Sequence, residues 1–278
     1  MTIFEAAILG IVQGLAEFLP ISSSGHLELF QHIMGLSDNS ASMMLLTVLL
    51  HVGTLVAVAV VFWNDWMDIL RHLFKSKTLG LLFIASLPAL FAALLLGDAM
   101  DSLFGSGFLG LAFLITALFL LLTEYIGKKM KNRTDLQDEV GVKHALCMGV
   151  MQAVAILPGV SRSGSTLLGG IFSGMKREKA AKFSFMMSAP AILGSLLVEG
   201  KDVLENGGME LLSSNLIPVL VGVALAAVSG YLAIRYMLKL INRISFNWFA
   251  LYVGIVGVTV VVLQIAGVSF LPAFPFFG

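Results

Sequence analysis

Charge is what this sequence has least of. Of 278 residues only 12% are Asp, Glu, Lys or Arg, against about 25% in soluble domains. Hydrophobic residues make up 58% and mean hydropathy is +0.95. That balance excludes an ordinary soluble domain and defines an integral membrane protein. The 17 basic and 17 acidic residues cancel, so there is no basic field to attract nucleic acid. The single cysteine, Cys147, excludes an internal disulfide and any cysteine-rich metal site. It is expected to be a small buried apolar residue. Basic residues are also missing ahead of the first apolar run, where Glu5 stands instead. A cleaved secretory signal is therefore not expected there.

What is present is long apolar sequence. A bilayer-spanning helix needs about 20 mostly apolar residues, and six segments qualify: 43–62, 79–97, 107–127, 183–200, 216–234 and 246–266. Two further apolar stretches, 3–33 and 142–173, are each interrupted near the middle by Pro, Gly, Ser and ionisable residues. Each reads as two half-helices joined by an irregular loop, a re-entrant helical hairpin. The predicted fold is an all-α integral membrane protein of six transmembrane helices plus two such hairpins.

The hairpins match each other. At a shift of 139 residues, half the chain, Gly10 meets Gly149, Gln13 meets Gln152 and Ala16 meets Ala155. Ser22, Ser24 and Gly25 meet Ser161, Ser163 and Gly164. Apolar composition aligns spans by chance but does not align Gln, Ser and Gly together, so we read an internal repeat of about 1–139 and 140–278 within a single membrane domain. Basic residues orient it. Arg71, Lys75 and Lys77, the cluster from Lys128 to Lys143, the cluster from Lys176 to Lys182, and Arg235, Lys239 and Arg243 account for all Lys and Arg except Arg162 and Lys201. The opposite ends carry Glu5, Glu28, Asp38, Asp98, Asp101, Glu199, Asp202, Glu205 and Glu210. The basic side is therefore cytoplasmic, and both termini are expected outside, in the periplasm. Three spans per repeat is an odd number, so the halves are inverted. Inverted repeats with broken helices bring their loops together near the midplane.

Those loops carry the chemistry. Arg162 sits in PGVSRSGST (Pro158–Thr166) between two oily runs. An arginine at membrane depth costs at least ~2.5–3.5 kcal/mol and marks a functional site by default. Ser161, Ser163, Gly164 and Thr166 around it are small enough to let backbone approach a ligand, and a helix restarts after them. The first loop, LPISSSGHL (Leu19–Leu27), repeats the arrangement with Ser22, Ser23, Ser24 and Gly25. Two helix N-termini, several hydroxyls and one guanidinium describe an anion site, and phosphate suits it best. Gln13 and Glu17 share a helix face at spacing i, i+4. A carboxylate there serves as proton acceptor, metal ligand or fixed partner of Arg162. His26 closes the SSSG loop and is placed to move protons near neutral pH. His51 is read as helix packing and Glu124–Lys128 as an interfacial anchor. His32, His72 and His144 have no clustered metal-ligand partners.

Taken together, QGLAE (Gln13–Glu17), LPISSSGH (Leu19–His26) and LPGVSRSGST (Leu157–Thr166) resemble the signatures of the undecaprenyl-diphosphatase, or bacitracin-resistance, family. The resemblance covers essentially the whole chain. It implies hydrolysis of undecaprenyl diphosphate to undecaprenyl phosphate and inorganic phosphate in the bacterial inner membrane, a step that recycles the lipid carrier of cell-wall synthesis and confers bacitracin resistance. Carried over by position, the family's functional residues fall on Glu17, Ser23, His26 and Arg162, with Ser161, Ser163 and Thr166 around the phosphates. Many members have glutamate where this chain has Gln13, so a mechanism requiring two ionised glutamates is disfavoured here.

The expected mechanism has Arg162 and the helix N-termini holding the diphosphate while Ser23 attacks the terminal phosphorus and Glu17 or His26 takes its proton. Attack by water and a phosphohistidine at His26 are the variants. One arginine is little charge for a diphosphate, so a divalent cation, Mg²⁺ or Ca²⁺, is expected to assist, touching Glu17 and substrate oxygens. The partners are a polyprenyl diphosphate, membrane lipids and, in a dimer, a second copy. A transporter or flippase of a phosphorylated lipid or anion is the alternative class. A noncatalytic scaffold leaves the buried arginine without purpose.

Overall fold

A computed structural model describes all residues except 37–40, 74, 104–105, 131–136, 138, 206–207 and 273–278. Among the described residues twelve α-helices follow one another: α1 Ile3–Phe18, α2 Ser23–Ile33, α3 Ala41–Val61, α4 Trp63–Arg71, α5 Lys77–Leu103, α6 Leu109–Met130, α7 Val142–Val154, α8 Arg162–Phe172, α9 Arg177–Glu205, α10 Gly208–Ser214, α11 Leu216–Leu240 and α12 Phe246–Ile265. Within the same residues β-structure amounts to one isolated bridge, Gln137 with Met175.

Six of these helices, α3, α5, α6, α9, α11 and α12, are long and apolar enough to cross a membrane. Their outer faces display large apolar side chains such as Phe83, Leu94, Leu197 and Trp248, a surface that lipid covers and water would not. The chain is a multi-pass membrane protein. Three of these helices run further than the apolar segments 79–97, 183–200 and 216–234. The reason is that hydropathy marks the hydrocarbon slab, whereas Lys, Arg and Glu continue a helix readily beyond it. A separate short helix, α4, falls in a segment too short and polar to span, although Trp63, Trp66, Met67 and Leu70 recur at the spacing of one helix face. Asp65 in its first turn and Arg71 in its last complement the helix dipole.

Both interrupted stretches are pairs of short helices. A capping box formed by Thr2 and Glu5 starts α1. It stops at Leu19, whose extended backbone is the conformation that the following Pro20 favours. In the second pair, the segment from Ala155 to Ser161 separates α7 from α8 and contains Pro158.

Packing sets where these pairs sit. Helix α1 lies along α11, α7 along α5, α6 along α12, and α3 between α11 and α9. Glycine permits the first two approaches. A Cβ on Gly10 would fall 2.3 Å from the Gly222 carbonyl oxygen, and one on Gly149 2.4 Å from that of Ala85. No real side chain fits there.

Glu124 is not a simple interfacial anchor. Its ion pair with Lys128 exists at 3.6 Å, but the carboxylate is buried. Glu124 Oε2 accepts from Arg177 Nη2 at 2.9 Å and from the Phe246 backbone N–H at 3.0 Å. The Arg177 guanidinium lies over the Phe246 ring. One carboxylate thus ties α6, the start of α9 and the start of α12 together, because a helix N-terminus and a half-buried cation both favour an anion. His144 is structural too, since its Nδ1 accepts the Gly141 N–H ahead of α7 at 2.9 Å.

Candidate active site

The two helix breaks touch. Ser22 Oγ donates to the Gly159 carbonyl at 2.6 Å, and Ser163 Oγ donates to the Leu19 carbonyl at 3.1 Å. Gly159 has φ +79°, a conformation that glycine adopts without penalty. Ser22 has φ +76°, which a non-glycine residue holds only when its surroundings insist. Its surroundings do, because the same Oγ that reaches Gly159 also accepts the Gly25 N–H at 3.1 Å and caps α2. Ser161 does the equivalent for α8, accepting the Gly164 N–H at 3.1 Å. Its own N–H is held by Thr116 Oγ1 of α6.

At this junction Glu17, Arg162 and Ser23 form one cluster. Arg162 Nη2 pairs with Glu17 Oε1. Ser23 Oγ donates to Glu17 Oε2 at 2.6 Å, and Gln13 Nε2 donates to the same oxygen at 3.1 Å. Arg162 Nη1 also donates to the Ser184 carbonyl of α9 at 3.3 Å. The carboxylate is buried, and Gln13 is fully so. Among the described residues Gln13 Oε1 has no hydrogen-bond partner. The arrangement turns a residue pair at i, i+4 on α1 into a floor, with Ser23 from α2 and Arg162 from α8 standing on it.

The remaining hydroxyls divide. Ser22, Ser161, Ser163 and Thr166 are buried and bonded within the protein; Thr166 Oγ1 lies 2.6 Å from Ser184 Oγ and donates to the Arg162 carbonyl. They build the two turns. Gly25 leaves room for Phe113, and Gly164 for Ser161. Ser23 is half-buried and Ser24 exposed, so the accessible hydroxyls belong to the first loop. His26 is buried, with Nδ1 2.7 Å from the Ser22 carbonyl and Nε2 2.9 Å from the Tyr252 hydroxyl.

Three participants escape a reading of the motifs: Thr116, Ser184 and Tyr252. The Nδ1 of His51, expected to pack, is held by the Thr47 carbonyl one turn earlier on α3 at 2.8 Å. Ser184 and Thr116 carried a signal, being polar residues inside apolar spans. Tyr252 carried none that distinguishes it from an ordinary interfacial tyrosine.

The described residues build no carboxylate cage of their own for a divalent cation. Both Glu17 oxygens already accept hydrogen bonds from Arg162, Ser23 and Gln13. Among the described residues no group of three His, Cys, Asp or Glu is placed to hold a metal ion.

Fold and site define a class: a multi-pass helical membrane protein with an arginine, a carboxylate and a serine gathered where two broken helices meet. Residues 6–259 match the bacitracin resistance protein BacA family, and the chain belongs to it. It is 42% identical over 271 residues to an undecaprenyl-diphosphatase of Carboxydothermus hydrogenoformans, covering 96% of this chain and 99% of that protein. It is 39% identical over 265 residues to one from Halothermothrix orenii, covering 95% and 98%. To undecaprenyl-diphosphatase 3 of Bacillus cereus it is 38% identical over 269 residues, covering 96% and 100%.

Proposed function

We propose that this chain is the phosphatase its family names: it hydrolyses undecaprenyl diphosphate to undecaprenyl phosphate and inorganic phosphate, and so returns the lipid carrier to cell-wall synthesis. The observation that carries this reading is the Glu17 carboxylate shared by Ser23 Oγ and Arg162. A hydroxyl bonded to a buried base and set beside a guanidinium is the apparatus of phosphoryl transfer. Each buried CH₂ of a lipid chain is worth ~0.8 kcal/mol, so the polyprenyl substrate stays in the bilayer and its enzyme must meet it there.

In the proposed sequence the diphosphate draws Arg162 into its oxygens. Ser23 Oγ attacks the terminal phosphorus, its proton passes to Glu17, and the anhydride bond breaks to release undecaprenyl phosphate. Glu17 hands that proton to the departing phosphate. Water, oriented by the unpaired Gln13 Oε1, then attacks the phosphoserine phosphorus. Its proton passes to Glu17 and on to Ser23 Oγ as the P–O bond breaks and inorganic phosphate leaves. Arg162 and the first-turn N–H groups of α2 and α8 stabilise the charge that develops on the phosphoryl oxygens. With both ring nitrogens of His26 engaged, Glu17 is the better base for Ser23. The divalent cation, Mg²⁺ or Ca²⁺, is assigned to the substrate and travels on the diphosphate oxygens. A chelator should then slow turnover and leave the thermal stability of the protein unchanged, as a melting curve in detergent would record.

We further infer that the short-helix pairs are re-entrant, inserted from opposite faces, and that residues 1–139 and 140–278 form an inverted repeat. The exchange of partners between the halves, α1 on α11 and α7 on α5, supports this. On this reading, and by the placement of the basic loops, the protein sits in the inner membrane with those loops inside and its termini in the periplasm; at the C-terminal end, residues 273–278 lie outside those described.

The deciding assay measures phosphate release from C55 diphosphate by detergent-purified protein, where no compartments exist for a transporter to separate. Arg162→Ala should lose at least ~10²-fold, the range for removing one transition-state donor. Full activity in that variant would overturn the assignment.

A further inference from the structure

Tyr252 is 226 residues from His26 in sequence and belongs to α12. Its hydroxyl lies 2.9 Å from His26 Nε2, and its ring stacks on the imidazole at 5.6 Å with 16° between planes. Phe113 meets the imidazole edge-on at 5.0 Å. The other nitrogen, Nδ1, is 2.7 Å from the Ser22 carbonyl. A carbonyl only accepts, so Nδ1 carries the proton; the neutral ring then presents Nε2 as an acceptor, and the Tyr252 hydroxyl donates to it. The imidazole is thereby wedged between two aromatic rings with both nitrogens committed. His26 is 4% exposed and Tyr252 46%, so the tyrosine stands on the outer side of the histidine.

From this geometry we propose that Tyr252 is the positioning residue of His26, donating to the Nε2 that the Ser22 carbonyl leaves unprotonated and holding that nitrogen in place. By occupying Nε2 it withholds His26 from Ser23 and leaves Glu17 as the proton acceptor. The role rests on the phosphatase reading given above, and it adds a residue to that site from a helix that carries none of the sequence motifs.

Tyr252→Phe keeps the stacked ring and removes only the hydroxyl. Loss of one such hydrogen bond should lower kcat about tenfold and leave KM within about twofold, since Tyr252 acts through His26 and not on the substrate. On a His26→Gln background the same substitution should cost nothing further, because two residues acting through one contact are not additive. A second readout needs no turnover. In ¹⁵N-histidine-labelled protein the His26 imidazole signals, identified by their loss in His26→Gln, should show the Nδ1-protonated tautomer in the parent chain and, in Tyr252→Phe, an Nε2 signal shifted by loss of its hydrogen bond. Unchanged His26 signals in Tyr252→Phe overturn the proposal whatever the activity, as does an equal loss on both backgrounds. A parent chain that releases no phosphate counts against the phosphatase reading and leaves the spectroscopic test standing.

Discussion

Glu17 is the residue on which the site turns, and it is held from three sides. Removing Arg162 strands its charge in a buried place, a change that typically costs ~3–5 kcal/mol. Arg162→Ala should therefore melt earlier as well as lose turnover, whereas Arg162→Lys keeps the charge and loses the forked donor geometry. Its melting temperature should fall less while its activity remains well below the parent's. Ser23→Ala addresses the nucleophile. If the serine attacks, phosphate release drops by ~10²–10⁴-fold, the range for positioned proton-transfer and nucleophile chemistry; near-normal release would identify water as the attacking group. The chain by itself singles out Glu17 and Arg162, because an arginine and a carboxylate in apolar sequence demand explanation; Ser23 and His26 come from their place in the SSSG loop and from the family resemblance. The motifs did not separate working hydroxyls from structural ones. Ser22 and Ser23 are neighbours of the same type, and only their surroundings make one a cap and the other a donor to Glu17.

Elements place those residues, and two contacts decide how. The crossing of the helix breaks depends on Gly159, whose φ of +79° and 2.9 Å clearance to Ala112 Cβ leave no room for a side chain. Gly159→Ala should displace the carbonyl that Ser22 Oγ reaches. The expected result is a destabilised protein with impaired turnover, measured by melting and phosphate release together. Away from the site, Glu124 joins α6, α9 and α12. Glu124→Ala should cost ~1.5–3 kcal/mol, as the loss of a charged acceptor shared by a half-buried guanidinium and a backbone N–H. Lys128→Ala, at the exposed end of the same interaction, should change stability by ~1 kcal/mol or less. Equal effects from the two substitutions would show that the carboxylate is not the clamp described. This node was partly legible: the i, i+4 spacing of Glu124 and Lys128 is visible in the chain, but the guanidinium of Arg177 lies 53 residues away, and no local pattern announces it.

At the scale of the whole molecule the orientation is open to direct measurement. In a Cys147→Ala background, Lys75→Cys should react with an impermeant thiol reagent only after cells are opened, and Lys201→Cys should react from outside. The reverse pattern would invert the protein and contradict the reading of its basic loops. Both positions are exposed, so protection by folding does not confuse the result.

By itself the sequence determined what a bilayer enforces. With no water in the hydrocarbon, backbone polar groups must be satisfied within helices, and so apolar length revealed six spanning helices and the interruptions that mark two broken ones. Charge placement and the serine-rich turns followed from the same cost of burying polarity. Only the tertiary structure decided who meets whom. That a single carboxylate gathers Gln13, Ser23 and Arg162, that α12 supplies a tyrosine to His26, and that several signature hydroxyls are spent on turns are long-range facts. They depend on which helix faces fit together, and close packing between distant segments leaves no periodicity in the chain.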